Sequence, residues 1–134
     1  MMTLSKATRM VHASEEKAKE LGIKVTIAIT DEHGTIVALH RMDGAFYISP
    51  KFATSKAHTS ALLGLPSGDI AAYAEDGKPY FGINTAWGGE LLPIAGGLPV
   101  KEGDKVIGGV GVGGSLDVKQ DLACAEAALK VLLE

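Results

Sequence analysis

Two runs of strand-forming residues, 24–30 and 35–40, flank the short polar segment Asp31-Glu32-His33-Gly34, and this pairing constrains the fold more than any other feature of the chain. In the first run Val25, Ile27 and Ile29 alternate with Thr26, Ala28 and Thr30, which is the two-residue period of an extended strand. Gly34 can adopt the left-handed conformation that closes a tight connection, so the segment reads as a β-hairpin. Its second strand ends in Arg41-Met42-Asp43 just before Gly44, placing a cation and a carboxylate at the hairpin mouth.

The remaining elements follow from period and punctuation. Residues 3–22 predict a helix capped by Thr3 and ended by Gly22, with Leu4, Ala7, Val11, Ser14, Ala18 and Leu21 on its inner stripe. Ser49-Pro50 reads as an N-cap with proline at the first helical position. The helix it opens carries Ala53, Ala57, Ser60 and Ala61 on one side and stops at Gly64. A short helix over 65–73 and a polar-aromatic loop over 78–90 come next. Strands are expected at 91–95 and 105–112, joined across Gly96-Gly97-Leu98-Pro99 and a turn at 102–104, before a last helix from Leu116. Its inner stripe is Val118, Leu122, Ala125, Leu129 and Leu132. A hairpin followed by a meander, with helices between, predicts an α+β domain: an antiparallel sheet of about five strands flanked by helices.

Residues 109–114 match the G-x-G-x-x-G fingerprint, yet the helix after them ends the chain, with no second parallel strand to complete a dinucleotide unit. Alternation instead puts Ile107, Gly109, Gly111 and Gly113 on one face of a strand and Val106, Gly108, Val110 and Val112 on the other. Such a glycine face admits a close neighbour. Either a small-residue helix, such as the one with Ala53 and Ala57, or a ligand or subunit fits there.

Composition excludes several classes. With 134 residues the chain makes one domain, and with 46% hydrophobic residues it can fill a core. A net charge of −3 and 5% aromatic residues argue against nucleic acid. No run reaches the ~18 apolar residues of a membrane span, and the first helix is amphipathic rather than a leader, so a cytoplasmic protein is expected. Cys124 is single, which rules out a disulfide framework and any CxxC or CxxCH motif.

His12, His33, His40 and His58 form no metal-site spacing, although any one of them can serve as a lone axial ligand to a cofactor metal. No nucleophile elbow is present. Arg41, Asp43 and Lys56 leave two readings level. Arg41 and Lys56 can hold a propionate or a small carboxylate, or Asp43 can pair with either cation and fix the loop.

With these residues placed, the chain resembles the GlcG/HbpS family, haem-degrading-domain-like proteins that include the C-terminal domain of PduO-type proteins. The resemblance runs over nearly the full length. It rests on residues 25–34, Arg41-Met42-Asp43-Gly44-Ala45, Ser55-Lys56-Ala57 with Thr59, Gly96-Gly97-Leu98-Pro99, residues 107–112 and Gln120-Asp121. It implies a profilin-like fold, a homo-oligomer built from dimers into a tetramer or octamer, and haem or a corrinoid bound non-covalently. The implied ligand-binding residues are Arg41, Met42, Asp43, Lys56, His58, Gly96, Gly97 and Pro99. Leu98 supplies no metal ligand in the Gly-Gly-x-Pro loop, so the resemblance implies no axial ligand. Three functions are therefore expected: a binding protein for a tetrapyrrole or small anionic metabolite, an accessory enzyme acting on a small carboxylate with Asp43 or His58 as acid or base, or an assembly module without ligand.

Overall fold

A computed structural model describes residues 1–133. Helix α1 (Leu4–Leu21) begins where the Thr3 side chain accepts a hydrogen bond from the Lys6 N–H, and it ends at Gly22 in the left-handed conformation. The hairpin follows as β1 (Thr26–Asp31) and β2 (Ile36–Arg41). In its turn the Asp31 carboxylate accepts from the His33 and Thr35 N–H groups, and Gly34 has φ 77°. Helix α2 (Ser49–Leu63) ends at left-handed Gly64. Two 3-10 segments, Ser67–Tyr73 and Ile83–Gly89, lead to β3 (Gly97–Glu102), β4 (Lys105–Gly113) and α3 (Val118–Lys130), which Asp117 caps.

The four strands form one antiparallel sheet in the order β2-β1-β4-β3. That is one strand fewer than expected. Residues 91–95 form no strand. The pairing starts at Gly97, so the Gly-Gly-x-Pro segment lies mostly inside β3 rather than before it. Pro99 fits because β3 is an edge strand with one unpaired side.

One face of the sheet carries α1 and α3. Ile27, Ile29, Val110 and Val112 pack there with Met10, Val11, Cys124 and Ala125. Met10 belongs to this core, whereas Leu4, expected on the inner stripe, is 65% exposed at the first turn. The other face carries α2, where Ala28 meets Ala53 and Ala57. A β-carbon at Gly109 would strike the Ala57 carbonyl, and one at Gly111 the Ala53 carbonyl. The glycine face is therefore covered by the small-residue helix. The expected alternation holds from 108 to 113 but inverts before it. A register shift opposite Val100/Lys101 turns Ile107 into the α1/α3 core and leaves Val106 beside Gly64 on the α2 side.

Ser49 also differs from expectation. It is the first helical residue, not the cap. Its hydroxyl donates to the Phe46 carbonyl at 2.6 Å and pairs with the buried Thr26 hydroxyl at 2.8 Å.

Candidate functional site

Apart from Pro99, the residues singled out from sequence occupy three separate places. The first is a shallow groove of about 580 Å³ where β2 meets α1, lined by Lys19, Lys24, His40, Arg41, Met42 and Asp43. Arg41 donates to the Ala45 carbonyl at 3.0 Å, and its guanidinium lies 5.2 Å from the centre of the Tyr47 ring. Met42 is half-buried against the core, while Asp43 is exposed. Beside the groove, Glu15 bridges His40 and His12, whose rings stand 5.8 Å apart. No group of three or more His, Cys, Asp or Glu among the described residues is arranged to hold a metal ion.

The second place is interior. Lys56 lies on α2 with only 2% of its side chain exposed, donating to the Val112 carbonyl at 2.9 Å and to Asp121 Oδ2 at 3.2 Å. Asp121, equally buried, also accepts from the Ser115 N–H. Burial lowers the lysine's pKa from its ordinary value against the pull of Asp121, and burial raises that of Asp121. Gly96 and Gly97 pack directly on this lysine. A β-carbon on Gly96 would sit 2.8 Å from Lys56 Nζ, and one on Gly97 would strike the Lys56 carbonyl. Neither of the ion pairs offered for Asp43 as one of the two readings forms: Lys56 takes Asp121, and Arg41 takes Ala45 and Tyr47. Pro99 lies apart, at the rim of a groove shared with Lys6 and Arg9 on α1.

His58 marks the third place. The C-terminal half of α2 and the irregular segment 79–91 enclose a pocket of about 720 Å³, open on one side and mostly apolar. Leu62, Tyr80, Phe81, Trp87 and Leu91 line it, and its polar groups include His58 and Glu90. The His58 Nδ1 lies 3.2 Å from the Gly34 carbonyl, and its Nε2 lies 3.4 Å from Glu90 Oε2. The Leu92 N–H donates to the Thr59 hydroxyl at 2.8 Å, and the Ser67 hydroxyl donates to the Ile94 carbonyl at 2.6 Å, anchoring the end of the segment to the rest of the fold.

Sequence reasoning missed Asp121 as the partner of Lys56, and it read 78–90 as a polar-aromatic loop without placing it as the wall of a pocket. The visible signals were a lone aspartate in the first turn of the last helix and three aromatic residues within eight positions (Tyr80, Phe81, Trp87). Among the described residues no helix is long and apolar enough to cross a membrane.

The family model described as haem degrading protein HbpS-like matches residues 2–130. A 15.0 kDa protein from the dhaT-dhaS intergenic region of Citrobacter freundii is 35% identical over 133 residues, which covers 99% of this chain and 93% of that protein. Among solved structures, Klebsiella pneumoniae protein ORFY superposes with a TM-score of 0.93 at 32% identity, covering 96% of this chain and 88% of that one. A PduOC:haem complex superposes with a TM-score of 0.92 at 26% identity, covering 96% and 93%.

Proposed function

We propose, from the premise that this chain belongs to the HbpS-like family, that it is a self-associating cytoplasmic protein that binds a tetrapyrrole, haem or a corrinoid, without a covalent link. The observation that carries this reading is its likeness over 96% of its length to a relative solved as a haem complex. The chain's own chemistry supports it. A flat apolar macrocycle needs an apolar cavity and a donor for its metal, and the α2 pocket combines leucine and aromatic walls with an imidazole. When bound, haem supplies an iron centre, and the protein's part is to hold it and keep water away. Self-association is supported by Phe46, Tyr47, Ile48 and Leu116, large apolar side chains left in water on so small a chain. Haemin titration of the full chain is expected to give a saturable Soret shift at micromolar concentration, and light scattering an oligomer mass. A linear, unsaturable Soret response removes the tetrapyrrole.

A second reading is favoured by the groove at β2. Lys19, Lys24 and Arg41 converge there with Met42 and Asp43, which suits a small carboxylate held for binding or for an accessory reaction. Lys56, Gly96 and Gly97 serve either reading from within, by fixing the end of β4 and the start of β3. Arg41→Ala is expected to weaken a small-carboxylate ligand by up to about five-fold, since an exposed ion pair contributes at most about 1 kcal/mol, and to leave haemin binding within about two-fold, because Arg41 does not line the α2 pocket.

A further inference from the structure

We propose that the pocket between α2 and segment 79–91 is the tetrapyrrole site, with His58 as the protein's ligand to the metal. The proposal rests on the tetrapyrrole reading and adds its location and its donor.

The imidazole is held as a metal ligand needs to be held. Metal-binding histidines commonly donate their second ring N–H to a backbone carbonyl, which sets both tautomer and ring orientation. Here Nδ1 lies within hydrogen-bond distance of the Gly34 carbonyl, so a neutral ring donating there leaves its Nε2 lone pair on the pocket side. Glu90, the neighbour of Nε2, is 64% exposed and can swing into solvent. The hairpin turn is shaped around this ring. Gly34 has a left-handed backbone, and a β-carbon on it would collide with His58 Nδ1 and lie 3.0 Å from Cε1. One glycine thus closes the turn and makes room for the imidazole.

The walls match the body of the ligand. Leu62, Tyr80, Phe81 and Trp87 are all about half exposed or more, although each lines the cavity. Their apolar surfaces line a common space instead of being buried in one another, as the walls of a ligand pocket do. Trp87 reaches this wall from an unusual backbone. Its φ of 49° lies in the left-handed region, which a bulky residue rarely adopts, and Gly88 and Gly89 continue it at 70° and 82°. Strain of this kind collects at ligand sites. No lysine or arginine lines the cavity, so the acidic side chains of a porphyrin belong at its open mouth, in water, with the macrocycle inside.

The other histidines offer no such setting. His12 and His40 share Glu15 beside the charged groove, and His33 stands exposed in the turn.

Trp87 is the only tryptophan, so the chain reports on its own pocket. Full-length protein is titrated with haemin and, separately, with metal-free protoporphyrin, following the Soret band and tryptophan emission. Haemin is expected to quench Trp87 with the same midpoint as the Soret shift. His58→Ala should weaken haemin by more than about ten-fold, and added free imidazole should restore its spectrum. Protoporphyrin affinity should stay within about two-fold in that variant, because stacking needs no donor. Phe81→Ala, at an exposed position, should weaken both ligands. If haemin binds wild-type protein and His58→Ala equally, with Trp87 unquenched, the site is overturned while the tetrapyrrole reading stands. If haemin gives no saturable change with wild-type protein, that reading falls and the site with it.

Discussion

Asp121→Asn is the sharpest probe of the fold, because it removes one charge from a buried pair while keeping shape and an acceptor for the Ser115 N–H. Lys56 then keeps only the Val112 carbonyl as a named partner, with 2% of its side chain in contact with water. Breaking a buried pair costs about 3–5 kcal/mol. The penalty has a ceiling, since the lysine can shed its proton. From its ordinary value of 10.5, neutralising it at pH 7 costs at most about 5 kcal/mol, at roughly 1.4 kcal/mol per unit. A loss of about 3–5 kcal/mol is a large part of the stability of a domain this size, and corresponds to a drop in Tm of roughly 10–18 °C.

The sign of the pH dependence follows from the same group. Folding lowers the Lys56 pKa, so between the folded value and the ordinary 10.5 the unfolded chain binds more protons. Stability therefore rises with pH through that window. In Asp121→Asn the carboxylate that pulled the lysine upward is gone, the window widens, and the rise is steeper than in wild type. Urea unfolding followed by far-UV circular dichroism at pH 7, 8, 9 and 10 measures this directly. The gap between variant and wild type should narrow as pH rises. A gap below about 0.5 kcal/mol at pH 7, the range of ordinary surface substitutions, or a gap independent of pH, is incompatible with a buried Lys56–Asp121 ion pair. The double variant Lys56→Met/Asp121→Leu should lose less than Asp121→Asn alone, because no charge is left stranded.

Other outcomes follow from other parts of the molecule. Gly111→Ala forces a β-carbon against the Ala53 carbonyl, so it should destabilise the protein by about 1–3 kcal/mol or more in urea unfolding, as overpacked cores do. Cys124 is buried, and burial pushes its thiol up to about 11. It should therefore react with a disulfide reagent at pH 7.5 only after denaturant is added, and prompt reaction in the native protein counts against that packing.

The parts of the fold written in local rules were legible from sequence. The α1 stripe from Ala7 to Ala18 (Met10 aside), its Thr3 cap and its Gly22 stop, and the hairpin closed by Gly34 all depend on residues within a few positions of each other. What escaped depended on distant partners. Gly-Gly-x-Pro has the composition of a turn, and only its place on the sheet edge makes it a strand. The inversion at Val106 and Ile107 needs a register shift against β3 that no alternation within β4 reveals. The same holds for the site. Lys56 finds Asp121 65 residues later, so its charge reads as available until the fold is known. His58 acquires its orientation from a turn 24 residues earlier. Segment 79–91 has no periodicity to read, because it is built of short irregular turns.

The close seating of α2 on the glycine strand divides that helix into two regimes of mutational freedom. Ala53 and Ala57 are fully buried against the sheet with Ala28, where the helix backbone comes within reach of the strand glycines, so a larger side chain there would push the helix off the sheet. Positions 58 and 62, one helical turn apart, face the pocket instead. Substitutions there change the lining of the cavity without touching the contact that seats the helix. The same scaffold can therefore take a differently shaped cavity by a few outward replacements, and two chains with nearly superimposable backbones need not share its lining.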